Sequence, residues 1–155
     1  MCIRDRGEIA LDIGTGSGFL AKILSSSFSF VVGTDININS LRQQSAPIGN
    51  IICCNAADVF SKRFDLIICN LPYLATDEII DPATDGGIDG FEIPSQIIKS
   101  ALPRLNESGK FIFVTSSLSD YQKLIAMVNS EGFQAEVLAR KKLFFEELIL
   151  VQVTS

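Results

Sequence analysis

A glycine-rich turn near the start of the chain is the clearest candidate for ligand binding. Residues 12–18 read DIGTGSG and directly follow a short apolar run. Glycines let the backbone turn tightly and let a ligand approach the peptide closely. An ordinary turn after a strand does not need three alternating glycines, so the segment predicts a binding site. Its candidate members are Asp12, Gly14, Thr15, Gly16 and Gly18.

The turn is compatible with two kinds of ligand. Residues 16–21, GSGFLA, fit the G-x-G-x-x-G/A pattern of dinucleotide-binding proteins, which keeps NAD open. Asp12, however, would repel a pyrophosphate at the mouth of the turn. The same carboxylate suits a ligand that carries an ammonium and a sulfonium group. The residues therefore favour a cationic ligand, with NAD as the alternative.

Two further acids follow the next two apolar runs. Asp35, with the neighbouring Ile36, stands where an acid can accept hydrogen bonds from both ribose hydroxyls of a nucleoside. The alternative for Asp35 is a cap on the helix that begins near Asn37. Asp58 follows the third run and could accept a hydrogen from an adenine amino group, although an isolated surface aspartate is equally compatible with the pattern.

The fourth apolar run ends in the tetrapeptide Asn70-Leu71-Pro72-Tyr73. The Asn70 side-chain oxygen and the Leu71 carbonyl, held by Pro72, can each accept one hydrogen of a planar NH2 group. The nitrogen lone pair then points outward at an electrophile, and Tyr73 offers an apolar face to the planar group. Asn and Pro are also common turn residues, so the tetrapeptide is weak evidence alone. Together with the glycine turn and the spaced acids, it predicts group transfer to an NH2 nitrogen.

Composition excludes several other chemistries. The chain has no histidine, which removes Ser-His, Cys-His and histidine general-base mechanisms. The four cysteines, Cys2, Cys53, Cys54 and Cys69, show no C-x-x-C spacing, so we expect no metal site and no disulfide framework. The remaining chemistry must require little proton transfer.

The charge distribution bears on the substrate. The 155 residues include 13 Lys and Arg against 18 Asp and Glu, a net charge of −5, which argues against coating a nucleic acid. Between Phe64 and Ile98 there is no Lys or Arg, whereas seven acids occur there. We expect this segment to frame the pocket and to attract a basic protein loop in preference to phosphates. The seven acids are Asp65, Asp77, Glu78, Asp81, Asp85, Asp89 and Glu92.

Alternating apolar runs and helical stretches predict an α/β protein with a mostly parallel sheet covered by helices on both faces. The last two strands are joined by so short a link, Ala139 to Lys142, that they should be antiparallel. The predicted strands are Ile9–Ile13, Phe30–Gly33, Ile51–Cys54, Phe64–Cys69, Lys110–Thr115, Phe133–Leu138 and Leu143–Val153. The predicted helices are Gly18–Ser25, Asn37–Ser45, Phe91–Leu105 and Leu118–Ser130.

The sequence predicts a simple domain organisation. We expect one catalytic domain over residues 8–155, preceded by residues 1–7 as a truncated leader or a non-native scar. The long segment Leu74 to Gly90 is expected to be an irregular functional loop. No apolar run reaches the length of a membrane span, and the protein is expected in the cytoplasm.

The combination of these motifs resembles a known family. The glycine turn, Asp35, Asp58 and Asn70 to Tyr73 look like the class I S-adenosylmethionine-dependent methyltransferases that methylate planar NH2 nitrogens. Residues 86–92, GGIDGFE, resemble a segment of the HemK/PrmC release-factor glutamine methyltransferases. Residues 141–148, KKLFFEEL, are similar to the archaeal and eukaryotic HemK-related group. One departure is Leu71, which stands where the family usually has a first proline.

The resemblance implies a Rossmann-like three-layer fold with strand order 3-2-1-4-5-7-6. It also implies S-adenosylmethionine over the first two strands and a glutamine of a release factor at Asn70. A small zinc-binding activator protein is implied as a partner. Its expected docking site is the third strand, Ile51 to Cys54, which has no charge or proline to block strand pairing. For the third strand, the alternative is an edge covered by the chain's own loop. For the function, the alternatives are methylation of adenine or guanine amino groups in DNA or RNA, and a cofactor-binding domain without turnover.

Overall fold

The computed structural model describes residues 7–44, 49–78 and 80–155. Nine strands and four helices follow one another along this part of the chain, and two short 3-10 turns, Ile88–Gly90 and Leu102–Arg104, flank α3. The strands are β1 (Gly7–Ile13), β2 (Phe28–Asp35), β3 (Ile51–Cys53), β4 (Phe64–Asn70), β5 (Leu74–Ala75), β6 (Asp85–Gly87), β7 (Leu105–Ser116), β8 (Gln134–Lys142) and β9 (Glu147–Thr154). The helices are α1 (Phe19–Leu24), α2 (Ile38–Arg42), α3 (Glu92–Ala101) and α4 (Tyr121–Ser130).

Seven of these strands form one sheet in the order β3-β2-β1-β4-β7-β9-β8. Counted within that sheet alone, the order is 3-2-1-4-5-7-6, as predicted. The first five strands pair in parallel, whereas β9 runs antiparallel to both β7 and β8. The Rossmann-like three-layer fold with a C-terminal antiparallel strand is therefore confirmed. Because β1 and β4 are neighbours in the middle, their carboxyl ends lie side by side at one edge.

The core lies on both faces of the sheet. Alternate residues of a strand point to opposite faces, and β1 shows this directly. Leu11 and Ile13 belong to the larger buried cluster, which also contains residues of α3 and α4, whereas Ala10 packs with Ala21 of α1. Burial on both faces explains why the parallel strands read as continuous apolar runs. Within the described ranges, no helix is long and apolar enough to cross a membrane.

Several predicted boundaries were wrong for identifiable reasons. The helix predicted over Phe91–Leu105 ends at Ala101 and continues as a 3-10 turn, because Pro103 lacks the N–H that the α-helix needs. The helix predicted from Leu118 begins at Tyr121, because Asp120 caps it by accepting a hydrogen bond from the Lys123 N–H (3.1 Å).

The C-terminal hairpin also differs from its prediction. Residues 139–142, expected to be the link, continue β8 and pair with β9 as far as Lys142 and Glu147. The turn is formed by residues 143–146 and is closed by the Leu143 N–H, which donates to the Glu146 carbonyl (2.8 Å). Lysines are tolerated in β8 because it is the exposed edge strand of the sheet.

The segment Leu74–Gly90 is less irregular than expected. Its ends form a small parallel pair, β5 with β6, in which Leu74 lies opposite Asp85. The predicted leader, residues 1–7, lies outside the described part of the chain except for Gly7, which begins β1. The structure thus places β1, β2 and β4 so that the predicted motifs can meet.

Candidate active site

A cavity of about 420 Å³ lies at the carboxyl ends of the central strands. This volume is in the range of small-molecule sites, and the position is the usual one for ligands of open α/β sheets. Six predicted site residues line it: Gly14, Gly16, Asp35, Ile36, Asn70 and Pro72. The glycine turn and the tetrapeptide therefore share one cavity, although 54 positions separate Gly16 from Asn70 along the chain.

The glycine turn owes its shape to backbone conformations that side chains disfavour. Gly14, Gly16 and Gly18 have φ angles of 70°, 48° and 78°, in the left-handed region. Thr15 points away from the cavity and packs so closely on Gly33 of β2 that a Cβ there would lie 2.8 Å from its methyl carbon. The Thr15 N–H also donates to the Thr34 carbonyl (2.8 Å). The turn is thereby fixed against β2.

Asp12 lies beneath this turn and is almost fully buried. Its Oδ2 accepts hydrogen bonds from the Thr15 hydroxyl (2.8 Å) and the Ala21 N–H (3.1 Å), which joins the turn to α1. Burial raises the pKa of Asp12 from 3.8 to about 6, against the effect of these two hydrogen bonds, and the Asp35 charge raises it further. A nearby cationic ligand would favour the ionised form. Asp12 does not itself line the cavity.

Asp35 and Gln44 hold Gly16 from the opposite side. The Asp35 carboxylate accepts hydrogen bonds from the N–H groups of Gly16 (3.0 Å) and Asn37 (2.8 Å). The alternative role of Asp35 as the cap of α2 is not observed, because Asn37 caps this helix through the Asn39 N–H (2.9 Å). Asp35 faces the cavity with its orientation fixed, and ribose binding stays a prediction.

Gln44 was not expected from the sequence. Its side-chain Nε2 donates to the Gly16 carbonyl (2.7 Å), while its buried Oε1 has no hydrogen-bond partner. The amide packs against Gly18, where a Cβ would lie 3.1 Å from Oε1. A glutamine after a short helix gives no sequence signal for this role, because the contact spans 28 positions.

Asp58 is one of six predicted site residues that do not line the cavity. Its carboxylate accepts hydrogen bonds from the Ser100 hydroxyl of α3 (2.6 Å) and the Asn55 amide (3.3 Å). A turn with Ala56 at φ 45° directs Asp58 towards α3. The wall of the cavity here consists of Cys54, Asn55 and Ala56. Asp58 is exposed and is bonded to Asn55 of this wall, so adenine binding by Asp58 stays a prediction.

The tetrapeptide reaches the cavity through Asn70 and Pro72. Asn70 is exposed at the end of β4, and within the described residues its side-chain amide makes no hydrogen bond. Leu71 is buried in the core, and its N–H donates to the Val114 carbonyl of β7 (3.1 Å). Its side chain is thus structural, as expected if only its carbonyl contacts a ligand. Tyr73 is half-buried beside the cavity and does not line it.

The glycine-rich segment 86–90 packs directly on the backbone of the tetrapeptide. A Cβ on Gly86 would lie 2.8 Å from the Pro72 carbonyl oxygen, and a Cβ on Gly90 would collide with the Tyr73 carbonyl oxygen. Gly90 has a φ of 62°, and the preceding Asp89 has a φ of 55°. The left-handed conformation of Asp89, which is not a glycine, persists only where the surroundings enforce it. The segment therefore fixes the tetrapeptide through steric contact.

The acidic character of the loop is only partly as predicted. Five of the seven acids are exposed on residues 77–92, namely Asp77, Glu78, Asp81, Asp89 and Glu92. Asp85 is buried and accepts hydrogen bonds from the N–H groups of Ile80 (2.8 Å) and Asp81 (2.7 Å). Asp65 lies at the amino end of β4, where it binds the Glu8 and Ile9 N–H groups, at the opposite edge from Asn70.

Helix α3 contributes a wall that the sequence analysis did not assign to the site. Ile93, Gln96 and Ile97 line the cavity from one helix face. Their spacing of three and four residues is the available signal, but core residues show the same spacing. Cys69 also lines the cavity, and burial raises its pKa, so it is a neutral thiol and no nucleophile.

Comparison with known proteins identifies the family of this chain. The family described as the methyltransferase small domain matches residues 2–145. A Methanocaldococcus jannaschii protein named "Putative protein N5-glutamine methyltransferase MJ0928" is 34% identical over 94% of this chain and 81% of its own length. The release factor glutamine methyltransferase of Bradyrhizobium diazoefficiens is 34% identical over 65% of this chain, which spans 41% of that enzyme.

A solved structure shares the fold. The Mtq2–Trm112 complex of E. cuniculi, described as responsible for methylation of the eRF1 translation termination factor, superposes with a TM-score of 0.83 at 21% identity. The match covers 98% of this chain and 87% of the other. The fold, the shared cavity and the match over residues 2–145 lead to one conclusion: this chain belongs to the methyltransferase small domain family.

Proposed function

We propose that this chain transfers the methyl group of S-adenosylmethionine to the side-chain amide nitrogen of a glutamine in a peptide-chain release factor. The observation that carries the proposal is the Asn70 amide, which has no hydrogen-bond partner among the described residues and is exposed at the cavity beside the glycine turn. The relatives named as glutamine methyltransferases support the same acceptor. Such a reaction belongs in the cytoplasm, where free cysteines stay reduced, and the described Cys53, Cys54 and Cys69 are free.

The residues present fit the cofactor. Gly14 and Gly16 leave backbone open to close approach, Asp35 presents an oriented carboxylate, and Ile36, Asn55 and Ala56 supply a further wall for a nucleoside. Asp12 adds negative charge beneath the turn, which favours a ligand with ammonium and sulfonium groups. The cofactor supplies an electrophilic methyl group that needs no acid to release it.

The acceptor side orients the glutamine. The Asn70 oxygen and the Leu71 carbonyl accept the two hydrogens of the NH2 group, and the nitrogen lone pair then points into the cavity. The bound cofactor would supply the methyl electrophile and its own thioether leaving group, and the proton displaced from the nitrogen would leave for solvent. Catalysis is then mainly positioning, consistent with a chain without histidine.

The charge around the cavity favours a protein acceptor. The five exposed acids of residues 77–92 would repel the phosphates of DNA or RNA and attract a basic protein segment. Methylation of an adenine or guanine amino group is the competing function, because it would use the same tetrapeptide.

One assay separates these readings. Labelled S-adenosylmethionine is offered with a release factor and, in parallel, with oligonucleotides, and the product is located by mass spectrometry. We expect label on a release-factor glutamine. Label on the oligonucleotide alone would replace the proposal by the nucleic-acid function, and cofactor binding without any transfer would support a binding domain without turnover.

Asn70→Ala tests the residue assignment in the same assay. We expect transfer to fall by at least about 100-fold, as for removal of a positioned hydrogen-bonding group, with the Kd for the cofactor nearly unchanged. The matched control is Asn39→Ala, on the exposed surface of α2 and outside the cavity lining. Equal loss of binding and transfer in the Asn70 variant would contradict the assignment.

We also propose that a small zinc-binding activator protein adds a strand at β3. β3 is the edge of the sheet, as predicted, and Ile52 and Cys53 are exposed there. The fold neighbour from E. cuniculi is itself a complex with Trm112. We expect the chain to co-elute with such a protein in size-exclusion chromatography, and Ile52→Lys to abolish this, with exposed Val59→Lys as the control. Co-elution of the Ile52 variant would contradict docking at β3.

A further inference from the structure

An aromatic pair stands fully outside the core at the tip of the β8–β9 hairpin. Phe144 is 92% exposed and Phe145 87% exposed. The two rings contact each other edge to face, with centroids 4.7 Å apart. Aromatic side chains gain much free energy on burial, so an exposed pair at one spot is typical of an interaction site.

The tip is held in place by the strands beneath it. The Leu143 N–H closes the turn on the Glu146 carbonyl, and the Ser116 hydroxyl donates to the Glu146 carboxylate (2.5 Å). Ser117 and Glu147 exchange two hydrogen bonds of 2.9 Å: the Ser117 N–H donates to the Glu147 carbonyl and the Glu147 N–H to the Ser117 hydroxyl. The aromatic pair is thus presented by an ordered turn, which lowers the entropy lost on binding.

Strand register places this turn at the same edge of the sheet as the acceptor tetrapeptide. Asn70 of β4 lies opposite Val114 of β7, and two residues later Ser116 lies opposite Leu148 of β9. The turn therefore follows at the carboxyl end of β7. β9 is two strands away from β4, about 10 Å at the usual strand spacing.

Strand β7 connects the two features. It pairs with β4 at Asn70 and with β9 at Leu148, and the Ser116 hydroxyl at its end donates to the Glu146 carboxylate in the turn. Burial is the main cause that raises the pKa of Tyr73, and the charge of Glu146 raises it further. The aromatic tip therefore lies next to the tetrapeptide that is proposed to hold the glutamine. A protein bound at Asn70 could therefore contact the hairpin tip at the same time.

We propose that Phe144 and Phe145 are a docking surface for the methyl-accepting protein, which inserts an apolar side chain beside them. This inference rests on the proposed protein substrate. An extended chain advances about 3.3 Å per residue, so the apolar side chain lies about three to five residues from the methylated glutamine. The exposed acids of residues 77–92, which follow β4 at the same edge, oppose an anionic membrane or a nucleic acid, whereas the exposed Lys141 and Lys142 beside the tip would attract one, so both are included as outcomes of the test.

The test is the double variant Phe144→Ser/Phe145→Ser with the single Phe144→Ser as a milder second variant. Leu138→Ser is the control, since Leu138 is 45% exposed on the same hairpin away from its tip. We expect KM for the release factor to rise at least about 10-fold in the double variant, as for loss of an aromatic anchor, with kcat within about twofold. The cofactor Kd and the thermal unfolding midpoint should match those of the control.

A short glutamine peptide without the apolar residue completes the experiment. It should be methylated equally by the wild type and the double variant, because it cannot reach the tip. An unchanged KM for the release factor in a double variant that folds would overturn the docking surface while leaving the proposed function intact. Failure of the wild type to methylate any protein would instead refute the proposed function. Loss of binding to phosphatidylserine vesicles or to an oligonucleotide, with KM unchanged, would assign the tip to that other partner.

Discussion

The two sides of the cavity are held in place by different forces. On the side proposed to bind the cofactor, side chains hold the glycine turn through hydrogen bonds: Asp12 binds Thr15 and the Ala21 N–H, and Gln44 and Asp35 bind the two ends of Gly16. On the side proposed to bind the acceptor, the Asn70 side chain makes no hydrogen bond within the described residues. The backbone of Pro72 and Tyr73 is instead confined by glycines 86 and 90.

This difference predicts which change, in pH or in side-chain volume, affects each side of the cavity most. Hydrogen bonds to a buried carboxylate respond to pH, because protonation changes both the charge and the set of acceptors. Close backbone contact responds to volume, since packed atoms cannot yield without displacing their neighbours. We therefore expect a change of pH to alter the stability of the glycine turn gradually. One methyl group added next to the tetrapeptide should lower the rate of transfer in a single large step.

Gly90→Ala should give the larger effect. The new Cβ would collide with the Tyr73 carbonyl oxygen, and the residue would also keep a φ of 62°. A displacement of the acceptor by about 1 Å can lower the rate about 100-fold, so we expect kcat to fall by that factor with the cofactor Kd within about threefold. Single-turnover transfer and calorimetry would measure the two quantities.

The control for this variant is Gly132→Ala. Gly132 has a φ of 87° but no atom within 4 Å of an added Cβ, so it isolates backbone strain from collision. We expect it to lower stability by about 1 to 2 kcal/mol and to leave kcat unchanged. Equal losses of kcat in both variants would mean that strain, and not contact with Tyr73, limits the acceptor side.

Asp12→Asn should give a smaller, pH-dependent effect. Burial raises the folded-state pKa of Asp12 to about 6, above its ordinary 3.8, so the folded chain holds this proton more tightly than the unfolded chain. The stabilisation is complete below about pH 4 and is lost as the pH rises through about 6. The difference of about two pH units corresponds to at most about 3 kcal/mol. Asn at this position should remove that part of the slope.

Urea unfolding without cofactor at pH 4, 5, 6 and 7 would measure this slope. The control is Asp77→Asn, an exposed carboxylate on the loop. If the stability difference between wild type and the Asp12 variant is the same at all four pH values, Asp12 is not the titrating group. The result would then weaken the contrast between the two sides of the cavity.

The sequence was most informative where structure is local. Glycines 14, 16 and 18 signalled a turn because only glycine adopts positive φ freely, and each of them does so. Apolar runs located the parallel strands because both faces of the sheet are buried. The tetrapeptide at the end of β4 reached the cavity because parallel strands end at a common edge.

Prediction failed where a side chain's direction depends on distant neighbours. Asp58 follows a strand as Asp35 does, but the turn at Ala56 and the hydrogen bond to Ser100 of α3 gave no sequence signal, and the role of Asp58 stays a prediction. Asp65 was counted among the acids near the pocket but lies at the other end of its strand. Gln44 carried no signal at all, since its partner is 28 positions away.

The sequence by itself determined the fold class, the glycine turn, the family and the presence of the tetrapeptide Asn70 to Tyr73 at a strand end, because these depend on residue type and short spacing. Only the tertiary structure decided which acids reach the cavity, which glycines confine the tetrapeptide and where the aromatic tip stands. Those features depend on strand register and on contacts between distant segments, and register is fixed only when the whole sheet assembles.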